Sequence, residues 1–315
     1  MGSYEEFAWV YDEFMDNVPY EKWCDQICSV LKREGIESGI VADLGCGTGE
    51  LTELLAKQGY DMIGIDNAQE MLNVAMEKRY VSGLDILYLL QDMRSFELYG
   101  TCRAIISRCD SINYITSYED LVQVFRLVNN YLDPKGFFIF DCNSPYKYRE
   151  VLGETTIAEN RENGSFIWEN SYDEQSHINE YDLTLYIQNE DGQQYRRYEE
   201  THLQRAYTIG EIKQAAKEAG LVFQFLVDAD TDNEVTRHTE RYLEMRSCRR
   251  MESRKQNEGL YCKSNSGTGN DPCLCVHIKG YCGEGKSFSW NKSCGHSCTW
   301  KTFECRGDDG QYDEG

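Results

Sequence analysis

A carboxylate stands directly ahead of a run of alternating glycines, Asp43-Leu-Gly45-Cys-Gly47-Thr-Gly49-Glu50. Glycines so spaced let the backbone turn sharply and approach a ligand closely. A pyrophosphate-binding loop spaces its glycines G-x-G-x-x-G and runs into a helix N-terminus that takes the phosphate. Here the third glycine comes one residue early and Asp43 precedes the loop. A negative charge at that point suits a ligand with a cationic amino group better than one with a phosphate. Asp66 stands about twenty residues beyond the loop, where a carboxylate can accept both hydroxyls of a ribose. Gln91-Asp92-Met93 is placed to bind an adenine amino group and cover its face, and Ser107-Arg-Cys109-Asp110-Ser111-Ile-Asn113-Tyr114 forms a fourth polar loop.

These four groups need elements to carry them to one place. Short apolar runs at 39–44, 61–65, 86–90, 104–107 and 136–141 read as buried strands, and each polar group sits at the C-terminal end of one of the first four. Helical patterns at 50–57, 69–78 and 118–131 separate them, which implies βαβ units and a mostly parallel sheet. In open α/β sheets, ligands bind at the carboxyl ends of the strands. Ahead of the first strand, Trp23, Ile27 and Leu31 share one helix face. After Asp141 the period changes to two over 165–172, 178–188 and 194–207, which reads as antiparallel strands inserted into the α/β domain. A helix over 208–219, capped by Thr208 with Glu211 three residues on and stopped at Gly220, and a strand over 221–228 complete the pattern.

Composition excludes several function classes. Asp and Glu number 54 against 32 Lys and Arg, a formal charge of -22. That weighs against a general nucleic-acid or anionic-membrane surface, which needs clustered Lys and Arg. No apolar run reaches membrane-spanning length, and the stretch from Met1 to Val10 lacks a basic segment followed by an apolar one. The expectation is a cytoplasmic protein without a membrane partner or a metal.

Taken together, the four polar groups resemble the class I S-adenosylmethionine-dependent methyltransferases. Within them the chain looks most like a small bacterial branch, on three segments: Tyr11-Asp12 with Val18-Pro19-Tyr20 and Trp23, the loop Cys109–Tyr114, and Glu200, His202, Gln204, Arg205 and Tyr207. The resemblance spans about residues 4–241. It implies a Rossmann-like α/β fold: a seven-stranded sheet, mostly parallel with one antiparallel strand, helices on both faces, and an inserted antiparallel β lid over 143–207. It further implies that Asp43, Gly45 and Gly47 hold the methionine part of the cofactor, Asp66 the ribose, and Asp92 with Met93 the adenine, with Cys46 also among the cofactor-binding residues. Tyr11 and the Cys109-Asp110 turn would close over it. Trp168, Tyr195, Tyr198, His202 and Arg205 would line the acceptor pocket. His202, Tyr114 and Asp110 are candidates for a general base, which is needed only if the acceptor carries a proton.

Plainer roles stand beside these. Asp66 could cap the following helix, Cys46 could be a small filler between glycines, His202 could be a structural donor, and the lid aromatics could be the core face of a sheet. The function that follows is methyl transfer to a small-molecule acceptor. The competing readings are methylation of a tRNA or protein side chain, cofactor binding without turnover, and an NAD-dependent oxidoreductase, which the early third glycine disfavours.

Residues 243–315 follow other rules. Of fourteen cysteines, six are scattered before 243 and eight crowd the remainder, among Gly, Ser and Lys without aliphatic periodicity. Cys273, Cys275, Cys294, His296 and Cys298 could ligate zinc or pair, yet no regular C-x-x-C pair occurs, and disulfides conflict with a cytoplasmic enzyme. A disordered tail translated out of frame fits better. With permitted codons shifted by one base, 257–266 can read MKDYIVRATA and 289–301 HGTSPVATAALGR. These strings, in that order, resemble the start of the bacterial redox-regulated holdase chaperone. The slip would lie between about Thr239 and Asn257, and the C-terminal strand of the sheet would be lost or truncated.

Overall fold

Strands β1 (Gly39–Leu44), β2 (Tyr60–Asp66), β3 (Leu87–Leu90), β4 (Cys102–Ser107), β5 (Leu132–Asn143), β10 (Leu221–Asp228) and β11 (Arg241–Cys248) form one sheet in the order β10-β11-β5-β4-β1-β2-β3. This computed structural model describes residues 8–162, 164–189 and 193–248, and the backbone of 277–282 and 286–291. β11 pairs antiparallel with both β5 and β10, while β1, β2, β3, β4 and β5 pair in parallel. One strand therefore runs against the other six, as the resemblance implied. β1 lies between β2 and β4, so the chain reverses its direction of travel across the sheet there.

The central strands are buried on both faces, which is why they read as unbroken apolar runs rather than alternating ones. Val41, Ala104, Ile106, Phe137 and Ile139 pack on one side with Trp23, Ile27 and Leu31 of α2 (Tyr20–Arg33) and Leu51 and Leu55 of α3 (Glu50–Lys57). Ala42, Ile105, Phe138 and Phe140 pack on the other with α5 (Tyr118–Tyr131) and α6 (Ile209–Glu218). The predicted cap of α6 is present as a reciprocal pair. The Thr208 hydroxyl accepts from Glu211 N–H at 3.2 Å, and the Glu211 carboxylate accepts from Thr208 N–H at 2.8 Å. Thr208→Ala is expected to lower stability by about 1 kcal/mol, read as a reduced urea midpoint at unchanged m-value.

The insertion is a four-stranded antiparallel sheet, β6 (Thr156–Asn160), β7 (Gly164–Asp173), β8 (Ile178–Gln188) and β9 (Tyr195–Arg205), in that order. Sequence periodicity gave three of these strands. β6 is a mostly exposed edge of five residues, too short and polar to alternate visibly. One face of this sheet, with Phe166, Trp168, Tyr181, Leu183, Leu185 and Tyr198, packs on Phe14 and Tyr11 of α1 (Ala8–Phe14). Arg161 beside β7 makes a two-pronged ion pair with Asp16, at 2.7 and 2.9 Å.

β11 requires a correction. The boundary drawn at 242/243 falls inside this strand, and the sheet keeps its seventh member through Cys248. The strand was hidden by Glu244 and Arg246, charged residues that are buried as an ion pair, with Arg246 also lying over the Phe223 ring. The remainder, Glu252–Gly315, is a separate unit. In it an antiparallel pair, β12 (His277–Cys282) with β13 (Lys286–Asn291), departs from the expected lack of regular structure. Cys273, Cys275, Cys294, His296 and Cys298 lie outside the described residues.

Candidate functional site

The glycine loop leaves β1 and wraps the end of β2: Gly45 N–H and Cys46 N–H both donate to the Ile65 carbonyl, at 2.8 and 3.1 Å. Gly45 takes φ +75°, and a Cβ there would lie 2.5 Å from Ser111 Oγ. Gly47 takes φ +54° and faces open space. The two glycines thus serve different ends, close packing against the β4 loop and an unobstructed backbone. Gly49, the early third glycine, is the N-cap of α3 in a left-handed conformation, and Glu50 occupies the first turn. A carboxylate at that helix start makes it a poor phosphate site.

Two carboxylates flank the loop. Asp43, at the end of β1, is 3 % exposed and accepts from the Thr52 hydroxyl at 2.7 Å. Burial pushes its carboxyl up to about 7; the Thr52 bond opposes the shift and nearby Asp66 adds to it. Asp66, at the end of β2, accepts from Gly47 N–H and Ala68 N–H, both at 2.9 Å. Burial raises it too, against these backbone bonds. The bond to Ala68 closes a turn ahead of α4 (Gln69–Ser82), whose N-cap is Ala68 without a side-chain cap bond, so Asp66 is not that helix's cap; its second oxygen faces the loop. Asp92 accepts from Arg94, which holds its carboxyl below the usual range.

These groups surround one cavity of about 380 Å³ at the C-terminal ends of β1, β2 and β4. Tyr11, Asp43, Gly45, Cys46, Gly47, Asp66, Asp92, Met93 and Cys109 all line it. Burial keeps the Cys109 thiol up at about 12 and raises that of Cys46 well above normal, so neither is a thiolate nucleophile. Tyr11 reaches the cavity because α1 is tied down. Asp12 accepts from the Thr48 hydroxyl and pairs with Lys78, which also pairs with Glu50, each at 2.5 Å.

The acceptor-side candidates scatter. Of the three possible bases, only Tyr114 lines the cavity, its hydroxyl bonded to that of Tyr181. His202 is 1 % exposed, its ring stacked on Tyr181 with centroids 4.6 Å apart and its Nε2 3.0 Å from the Glu200 carboxylate. Asp110 accepts from Gln204 at 2.6 Å, and burial raises its carboxyl. Trp168 and Tyr198 belong to the packed face under α1. Tyr195 is 55 % exposed on the opposite face. Arg205 pairs with Glu211 and donates to the Thr116 carbonyl.

The lid instead presents Thr201 and Leu203 to the cavity, the neighbours of His202 on the other face of β9. Alternation alone gives two faces without saying which one meets the site. Tyr20, Ser111 and Thr116 also line it; Tyr20 and Ser111 lie in segments the sequence singled out without a role of their own, and Thr116 carried no signal. The motif residues around them turn out to join lid and site. Asn113 donates to the Asn143 and Arg205 carbonyls at 3.1 and 2.8 Å, Gln204 accepts from Tyr148 at 3.0 Å, and the Tyr207 hydroxyl donates to the Ser117 carbonyl at 3.0 Å.

A family model described as a methyltransferase domain matches residues 41–136, from the glycine loop through the start of β5. A Bacillus subtilis (strain 168) protein named as a methyltransferase, YqeM, is 36 % identical over 241 residues, covering 76 % of this chain and 94 % of its own. The chain belongs to the class I S-adenosylmethionine-dependent methyltransferases. The solved S-adenosylmethionine-dependent methyltransferase of Clostridium acetobutylicum ATCC 824 superposes with a TM-score of 0.71 at 31 % identity, over 78 % of this methyltransferase and 99 % of the other chain. DesVI of Streptomyces venezuelae shares the fold, with a TM-score of 0.63 at 19 % identity, over 76 % and 98 % of the two chains. S-adenosylmethionine is the methyltransferase's cofactor. Among the described residues no helix is long and apolar enough to cross a membrane.

Proposed function

We propose that this methyltransferase transfers the methyl group to a small molecule, which enters the cavity at the edge of the lid. The supporting observation is that one cavity of about 380 Å³ carries all nine cofactor candidates while β9 of the lid walls part of it with Thr201 and Leu203. The donor set fits the cofactor: carboxylates stand at three successive strand ends, beside a glycine whose Cβ position is open. On this reading Asp43 faces the amino group, with Gly45, Cys46 and Gly47 along the methionine part. Asp66 holds the ribose, and Asp92 with Met93 the adenine. Tyr11 and the Cys109-Asp110 turn close the site.

When bound, the cofactor supplies a methyl group on a positively charged sulfur. The chain's part is to hold the acceptor near attack distance and keep water out. Tyr114, Thr116, Thr201 and Leu203 are the acceptor-side wall, and Tyr114 is the one of the three candidate bases that lies on it. The strong acidity of the chain supports a small molecule over tRNA. Label from S-adenosylmethionine is expected in a metabolite pool; label in tRNA alone would overturn the acceptor class. Calorimetry should give binding of S-adenosylmethionine and its demethylated product without binding of NAD.

We further propose that the methyltransferase domain ends soon after Cys248 and that the cysteine-rich remainder is an out-of-frame reading of a downstream chaperone gene. Because β11 pairs with β5 in the sheet, on this reading the slip follows Cys248. One uninterrupted frame through codon 315 in genomic DNA, with no overlapping chaperone gene, would reject this.

A further inference from the structure

The cavity wall contains a conformation that ordinary residues avoid. Cys109 and Asp110 take φ of 58° and 52° in succession, neither being glycine. L-residues rarely enter this left-handed region, because Cβ crowds the following carbonyl. The turn nevertheless carries Cys109 and then Ser111 into the cavity lining. Such a conformation persists only where its surroundings over-determine it.

The surroundings converge on Asp141 of β5, the strand beside β4. The Asp110 N–H donates to Asp141 Oδ1 at 2.8 Å. Asp141 Oδ2 lies 3.3 Å from Arg108 Nε and 3.9 Å from Arg241 Nε. Arg108 immediately precedes the turn, and Arg241 opens β11, the next strand beyond β5. Both guanidinium groups lie 4.8 Å from the ring centroid of Trp23 on α2. Asp141 is fully buried and Arg108 is 2 % exposed. A buried ion pair is weak as a source of stability, since apolar residues often replace one without loss. The backbone geometry it imposes is a better account of its place here.

We propose that Asp141 is a positioning residue. Held between Arg108 and Arg241, its carboxylate fixes the left-handed Cys109–Asp110 turn that walls the cofactor cavity. The inference rests on the reading of that cavity as the cofactor site. Asp141 does not line the cavity and acts through the Asp110 amide.

The full chain carrying Asp141→Asn tests this. Asparagine offers one acceptor oxygen where the carboxylate offers two; the charged guanidinium groups attract that oxygen more strongly than a neutral amide does, so it turns to them and leaves the Asp110 amide without its acceptor. Two quantities are read: hydrogen exchange at the Asp110 amide in cofactor-free protein, and S-adenosylmethionine affinity by calorimetry. Exchange is expected to accelerate at least tenfold and Kd to rise about tenfold; the unfolding midpoint is expected to fall as well, because Arg108 stays buried without its carboxylate, so both quantities are read well below that midpoint. Adding Cys109→Gly, which relieves one left-handed residue, is expected to recover part of the affinity. If Asp141→Asn fails to fold, Asp141→Glu keeps the charge, shifts the acceptor atom and is read in the same two ways. A folded variant with a protected Asp110 amide, or with faster exchange at unchanged Kd, overturns the proposal. If the wild-type protein fails to bind S-adenosylmethionine, the cofactor reading falls, while the exchange measurement still decides whether Asp141 holds the turn.

Discussion

Replacement of Asp66 by alanine is expected to weaken S-adenosylmethionine binding by about 1–3 kcal/mol, a loss of roughly fivefold to a hundredfold in affinity. The carboxylate stands at the end of β2 with one oxygen on the Ala68 amide and the other on the Gly47 amide. Each oxygen keeps a further lone pair for a ligand hydroxyl. Alanine removes that acceptor and also frees the glycine loop from its anchor. The ribose is common to the cofactor and its demethylated product, so calorimetry should show the same loss for both. An unchanged Kd for either compound would reject the ribose role.

The second large effect is a dependence of cofactor affinity on pH. Burial puts the Asp43 carboxyl at about 7 in the cofactor-free protein, far above its ordinary value. A cationic amino group placed beside it favours the ionised form and lowers that value in the complex. Binding therefore releases a proton at pH below about 7, and affinity falls as pH falls, by up to about tenfold per unit. The sign for folding is opposite to that of a salt-bridged carboxylate. Because the folded value is raised, this group favours the folded cofactor-free protein most at low pH, and that contribution is lost as pH rises through 7. Calorimetry from pH 5 to 7, in buffers of different ionisation enthalpy, should show proton release growing as pH drops. Asp43→Asn should flatten the profile and lower affinity at pH 7. A flat profile in the wild-type protein would remove Asp43 as the partner of a cationic group.

Much of the cavity lining contributed by the strand ends was legible, because it follows local patterns. Alternating glycines, a carboxylate ahead of them and further carboxylates at the next strand ends are local patterns, and the sheet brings them together by its own geometry. The wall contributed by the inserted sheet was less legible. Period two in β9 shows that His202 and Tyr198 share a face; it does not show that this face packs under α1 while Thr201 and Leu203 meet the cavity. That choice is made by Phe14 and Tyr11, more than 180 residues away in sequence. β11 was obscured for another reason. Glu244 and Arg246 look like solvent-facing residues until the strand is placed in the sheet, where each neutralises the other.

The position of β11 dictates an order of assembly. β10 touches the rest of the sheet through β11 alone, although it precedes it in the chain. During synthesis, β10 must therefore wait with its edges unsatisfied until the last strand of the domain has left the ribosome. A truncation before Arg241 would cast off two strands rather than one, and the exposed flank of β5 would become a template for association with other chains.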